Sequence, residues 1–283
     1  MIFWANQCKE FMKITFIGGG NMAIAMIGGM IRQGFTAAQI HVVEPDAIKR
    51  EQLNADFGVS CSDPETALPQ SEAILFAVKP QQLQAVAKSV RQQINGALVI
   101  SIAAGIRVET LSQWLDAYPR IVRVMPNTPA LVQEGMSGAY ATSDVNAADR
   151  ELTERMLAAI GEMVWVEKES DIDGITAISG SGPAYVFYFM EALQAAARAQ
   201  GFGPEIARKL AYQTFAGAVK LALQSEDDAA TLRQKVTSKG GTTERAINAL
   251  ETSQVRTTII AAASAAAARS RELGEESTRS LEV

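Results

Sequence analysis

Five short apolar runs punctuate the first half of the chain: Ile14–Ile17, Ile40–Val43, Ile74–Val78, Leu98–Ile102 and Ile121–Met125. They are predominantly apolar, with at most one polar residue each (Thr15, His41, Ser101, Arg123) and no sustained alternation, the pattern of strands covered on both faces, and longer mixed segments separate them. That rhythm predicts βαβ units from Lys13 to about Glu169, wound right-handedly into a mostly parallel, doubly wound α/β sheet. Beyond Asp171 the strand signals stop. Helical periodicity takes over in Pro183–Gln200, Pro204–Gln224, a short segment near Leu232, Thr242–Leu250 and Val255–Leu273, which predicts an all-helical second domain. Gly201 stands where a left-handed residue closes a helix, and Pro204 where a first-turn proline is tolerated. The charged end from Arg269 to Val283 is expected to fray.

With 283 residues, 48% of them hydrophobic, the chain can bury about two cores. A net charge of −5 and a pI near 5.2 provide no polybasic footprint, so nucleic acid and anionic membranes are poor partners and a small ligand is expected. Cys8 and Cys61 cannot build a disulfide framework, and no C-x-x-C or His-rich spacing offers a metal site, which fits a reducing cytoplasm. The longest apolar stretch, Ile259 to Ala268, is interrupted by Ser264 and falls short of the roughly 20 residues a membrane span needs. The first eleven residues lack the features of a secretory signal.

Gly18-Gly-Gly20-Asn-Met-Ala23 fits G-x-G-x-x-A between the first strand and a helix starting near Asn21. Gly18 allows the tight turn, Gly20 lets backbone approach a pyrophosphate, and Ala23 permits close helix packing. The expected organisation is therefore a disordered extension at 1–11, a Rossmann-type dinucleotide domain at 12–169, an all-α domain at 170–275 for substrate and dimerisation, and a tail at 276–283. Glu44 ends the second strand where a carboxylate can accept ribose hydroxyls, or serve as a solvated loop acid. It argues for NADH, while Lys49 and Arg50 nearby leave NADPH open. Ligands bind beyond the carboxyl ends of such strands, singling out Val78-Lys79-Pro80, Ala103-Ala104-Gly105 and Met125–Pro129. Lys79 reads either as a phosphate contact or as a solvated cation.

Two later glycine-rich segments, Ser179-Gly-Ser-Gly-Pro-Ala184 and Thr237–Thr243, each precede a helical pattern, offering backbone N–H groups to a small anion. The first reads as close-packing architecture in preference to a ligand contact. The single histidine, His41, lies in the second strand pattern, far from these loops. Histidine base catalysis and Ser-His-Asp hydrolysis are thereby excluded.

Together Ile17–Met22, Ala77–Pro80, Ser101–Gly105, Met125–Pro129, Ser179–Tyr185 and Val236–Thr243 resemble the Δ1-pyrroline-5-carboxylate reductase family over roughly Lys13 to Leu273. The resemblance implies hydride transfer from NADPH or NADH to C5 of the cyclic imine pyrroline-5-carboxylate, giving L-proline. It also implies a substrate held at a helical dimer interface and dimers assembled into decamers. Cofactor contacts carry over to Gly18, Gly20, Asn21, Met22, Val78, Lys79 and Ala104, and substrate contacts to Glu169, Thr242 and Thr243, with Ser238 alongside. The chain departs from relatives at Glu44, where many have serine, threonine or arginine, at Lys239, often proline, and at Lys235, asparagine in some.

Imine reduction asks mainly for placement, because a protonated imine is already electrophilic. On this reading N–H groups of Gly240, Gly241, Thr242 and Thr243 bind the substrate carboxylate. The Thr243 hydroxyl orients the ring nitrogen as the catalytic residue; the plainer reading makes Thr242 or Thr243 simply an N-cap, and both roles can coexist. A β-hydroxyacid dehydrogenase is the nearest rival, but Val186 stands where its catalytic lysine would be. A non-catalytic NAD(P)H sensor would have no need of the Ser238–Thr243 segment.

Overall fold

A computed structural model describes residues 13–279. The extension at 1–11, Met12 and the last four residues lie outside the described part. The chain divides into two compact units, one formed by residues up to Ser181 joined by those from Ala266 onward, the other by Gly182–Ala265.

In the first unit, β1 (Ile14–Ile17), β2 (Ile40–Val43), β3 (Ser60–Ser62), β4 (Ala73–Phe76), β5 (Leu98–Ser101), β6 (Ile121–Met125), β7 (Gly135–Ala141) and β8 (Gly161–Trp165) form one sheet. Their order is β3-β2-β1-β4-β5-β6-β7-β8. All neighbours are parallel except β6 and β7. β1 therefore sits at the switch point, with β2 on one side and β4 on the other, where doubly wound sheets open a crevice. Alternate strand residues divide between two cores. Phe16, Leu75 and Ile100 pack with Met26 and Ile27 of the helix Asn21–Arg32, while Ile17, Ile74 and Phe76 pack with Leu83 of the helix Pro80–Val90. Burial on both faces is why these runs carry no polar alternation.

Three strands escaped the apolar-run pattern, each for a local reason. β3 is Ser-Cys-Ser at the sheet edge. β7 mixes small residues with Met136 and Tyr140, and at Gly138 a neighbour leaves no room for a side chain: a Cβ there would lie 2.6 Å from Ile175. β8 is only partly covered, with Glu162 and Val164 exposed.

The end of the chain does not fray where expected. The last helix runs over Val255–Arg279, and its final turns belong to the first unit. Ser270 is 4% exposed and donates to Asp173 Oδ1 at 2.6 Å, and Ser277 donates to the Gly105 carbonyl at 2.9 Å. Gly274 lets Arg107 approach so closely that a Cβ would lie 2.6 Å from its Nε. The charges that suggested fraying pair with one another, Arg269 with Glu272 and Glu276, so charge content misread a helix anchored through small residues. The change of periodicity near Ser170 likewise precedes the edge of the compact unit at Ser181.

The second unit contains helices Gly182–Ala199, Pro204–Leu223, Ala229–Lys235 and Thr242–Thr252 and the start of the last helix. Gly201 adopts φ +90° between the first two, and Gly203 and Pro204 begin the second. No helix among the described residues is long and apolar enough to cross a membrane.

Candidate active site

The glycine turn is tight at one end and open at the other. Gly18 has φ +104°, and a Cβ there would lie 2.9 Å from the Ala77 carbonyl oxygen, so no other residue fits without displacing backbone. Its N–H donates to the Val43 carbonyl at 2.8 Å, locking the turn to β2. Gly20 is the N-cap of the helix Asn21–Arg32, with no side-chain cap, and a Cβ there would meet nothing within 4 Å. An uncapped helix start facing open space is a suitable seat for phosphate.

Glu44 is not a solvated loop acid. It is 6% exposed, its Oε2 accepts from the Gly19 N–H at 2.8 Å, and its Oε1 accepts from the Asp46 N–H at 3.1 Å. The carboxylate thus ties the glycine turn to the end of β2. Beside it lies a cleft of about 420 Å³ whose wall includes Gly18, Gly20, Glu44, Val78 and Lys79. An open turn at Gly20, a helix start and a carboxylate at the ribose position fit a dinucleotide.

Other expected contacts fall elsewhere in the first unit. Asn21 lines an adjoining hollow with Gly19 and Lys49. The Met22 side chain packs on the core. Ala104 lines a separate recess with Gln81 and Gln84. Sequence reasoning missed Gln82, Val86, Ser89 and Gln93 in the cleft wall. Their spacing puts them on one helical face, and that was the signal available once Lys79-Pro80 marked a helix start.

Glu169 sits in a network of the first unit. Its Oε1 accepts from Arg123 Nη1 at 2.7 Å and from the Val108 N–H at 2.8 Å, at the start of the helix Val108–Trp114. Arg123 is 3% exposed, and burial pulls its pKa below the usual arginine range, partly offset by Glu169. Arg107 donates to Asp173 Oδ2 at 3.0 Å, and Asp173 also receives Ser270. These groups brace the first unit.

The segment around Ser179 is not an open loop before a helix. Thr176–Gly180 forms a π turn closed by the Ser181 N–H on the Thr176 carbonyl at 2.8 Å. Asn127, 8% exposed, clips it in place: Nδ2 donates to the Ser179 carbonyl at 3.0 Å while Oδ1 accepts from the Met136 N–H at 2.9 Å. A Cβ on Gly180 would lie 2.9 Å from Met125 Cε. Close packing is therefore the role visible for this glycine.

In the second unit the N-cap of the helix Thr242–Thr252 is Gly241, which corrects the reading of Thr242 or Thr243 as the cap. Gly240, at φ +75°, donates its N–H to Glu244 Oε2 at 2.7 Å, and the Gly241 N–H donates to the Ser238 carbonyl at 3.0 Å. Two of the four N–H groups expected to bind an anion are thus engaged within the segment. A Cβ on Gly241 would lie 2.6 Å from Ser238 Oγ, so Ser238 and the helix start form one compact turn.

His41 lies within β2, 8% exposed, its ring nitrogens 2.8 and 2.9 Å from the hydroxyls of Ser60 and Ser62. Burial, and secondarily Lys13, holds its pKa below the ordinary value.

Comparison with known proteins agrees with this layout. The family profile described as pyrroline-5-carboxylate reductase dimerisation matches residues 169–273, and one described as NADP oxidoreductase coenzyme F420-dependent matches residues 13–105. The chain is 45% identical over 268 residues to the pyrroline-5-carboxylate reductase of Pasteurella multocida, covering 92% of this chain and 97% of that one. The solved structure of a pyrroline-5-carboxylate reductase from Coxiella burnetii superposes with a TM-score of 0.88 at 41% identity, covering 93% of this chain and 98% of that one. That of the Plasmodium falciparum pyrroline carboxylate reductase, with NADP bound, gives a TM-score of 0.82 at 29% identity, covering 94% and 99%. With relatedness running through both units, this chain belongs to the pyrroline-5-carboxylate reductase family.

Proposed function

We propose that the chain reduces L-Δ1-pyrroline-5-carboxylate to L-proline with NADH or NADPH, the last step of proline synthesis. The observation that carries this reading is the built dinucleotide cleft of the first unit, in a chain that also keeps the Ser238–Thr243 helix-start segment. A bound reduced nicotinamide supplies the hydride that C5 of the imine accepts. The chain's residues supply placement. Gly20 and the helix start at Asn21 receive the pyrophosphate, with Lys79 in the same cleft wall. Gly240 and Gly241 spend their N–H groups on shaping the turn, which leaves the N–H groups of Thr242 and Thr243 to bind the substrate carboxylate at the positive end of the helix. The Thr243 hydroxyl holds the ring nitrogen by a hydrogen bond, and the ring nitrogen's proton comes from water. Glu169 is assigned to bracing, because its Oε1 serves Arg123 and the Val108 N–H.

The working form on this reading is a cytoplasmic homodimer, with dimers assembling into a decamer. The central test replaces Thr243 with alanine or serine. Thr243→Ala should lower kcat/KM about tenfold to a hundredfold, the worth of one hydrogen bond to a reacting group, and Thr243→Ser should retain most of the rate. An unchanged kcat/KM in the alanine variant removes Thr243 from the mechanism.

A further inference from the structure

We infer that this chain selects NADH over NADPH, and that Glu44 is the specificity-determining residue. The inference rests on reading the cleft as the dinucleotide site. It departs from the NADP in the Plasmodium falciparum relative's structure.

The first observation is that the Glu44 carboxylate is buried and anchored to backbone. Each of its two oxygens is held by a different backbone donor, the Gly19 N–H at 2.8 Å and the Asp46 N–H at 3.1 Å. A carboxylate offers about four acceptor positions, so two remain for ribose hydroxyls. The acid stands 25 residues beyond Gly19, the position from which such folds read the adenosine ribose.

The second observation is that two of the groups able to welcome a 2′-phosphate, the helix start and Arg50 Nη1, are already engaged. The helix Ala47–Phe57 begins beside Glu44, and its start would be the natural anion seat. Asp46 fills it, accepting from the Ile48 N–H at 2.9 Å and the Lys49 N–H at 3.4 Å. Arg50 Nη1 is bound to the carbonyls of Glu44 and Pro45 at 2.7 and 2.9 Å. Lys49 stands in the cleft wall. The two cations, Lys49 and Arg50, do no more than balance the two acids, Glu44 and Asp46, so a phosphate monoester of roughly −1.5 to −2 meets no net positive charge there, and Glu44 in the cleft wall repels it.

The test measures binding, not turnover. The folded protein is titrated with NADH and with NADPH by nicotinamide fluorescence, and bound NADH is competed with adenosine 5′-monophosphate and with adenosine 2′,5′-bisphosphate. NADH should bind about tenfold tighter or more, and the bisphosphate should compete less well than the monophosphate. Glu44→Gln keeps an acceptor for the Gly19 N–H while removing the charge, and should narrow the ratio at least threefold, whereas Lys49→Ala should widen it. Equal or tighter binding of NADPH by the natural chain overturns the preference and leaves the dinucleotide site standing. Failure of both nucleotides to bind overturns the cleft assignment and this inference with it. Should Glu44→Gln fail to fold, the ratio measured on the natural chain still decides the preference.

Discussion

The two units bury their apolar residues in opposite ways. In the first, alternate residues of each central strand disappear into one of two cores, and Phe16 and Phe76 are fully buried. In the second, the helix Gly182–Ala199 has no buried residue, and only Ala207 and Ala211 are buried in the helix Pro204–Leu223. Large side chains there stay outside: Phe187 is 63% exposed, Tyr188 71% and Leu223 80%. A sheet sandwiched by helices completes its own core within one chain. A set of helices with outward apolar faces needs another surface to cover them, which is the physical content of the proposed dimer.

The sharpest way to break this contrast is a charge on the open helical face. Phe187→Asp should convert the assembly to monomers by light scattering and lower turnover about a hundredfold, while NADH affinity stays within about twofold. A variant that remains a dimer would show that Phe187 lies outside the contact. Next in size is the bracing network that holds the end of the last helix to the first unit. Asp173→Ala strands Arg107 and removes the acceptor of Ser270. A loss of about 1–3 kcal/mol is expected from chemical denaturation, because the half-buried Arg107 and the buried Ser270 hydroxyl lose their acceptor. An effect near zero would mean that water replaces the carboxylate.

The smallest effect is the pH dependence of His41. Burial and Lys13 keep its imidazole neutral in the folded chain below the ordinary value of 6.5, whereas the unfolded chain takes up a proton there. Its contribution to stability is full above about pH 6.5 and declines as pH falls from there to the folded-state value. His41→Gln should flatten that part of the profile of unfolding free energy against pH by about 1 kcal/mol or less. A profile as steep as that of the natural chain would assign the slope to carboxylates instead. Asp149 is the foremost of these, since burial raises its pKa but Arg120 and Asn146 outweigh it and hold it below the carboxylate range.

Local rules made much of this molecule legible from its residues. The five apolar runs marked β1, β2, β4, β5 and β6, because double burial leaves predominantly hydrophobic strands. Gly201 and Pro204 marked the turn between two helices, because φ +90° and a first-turn proline are backbone constraints written in single residues. Gly18 and Gly20 marked the cleft for the same kind of reason. What stayed hidden depends on partners distant in the chain. β7 has no room for a side chain at Gly138 because Ile175 lies against it, and the last helix holds because Ser270 reaches Asp173. The position of Glu44 was readable, but its fixed orientation was not.

The amino-acid order alone determined the alternation of strands and helices, the glycine turn and the switch to an all-helical second half, since these follow from periodicity and backbone stereochemistry. Only the tertiary structure decided which polar groups were already occupied. Glu44 grips Gly19 and Asp46, Glu169 serves Arg123, and Gly240 donates to Glu244. A hydrogen bond is a property of two groups brought within about 3 Å, and residues far apart in the chain meet at that distance only once the fold has formed.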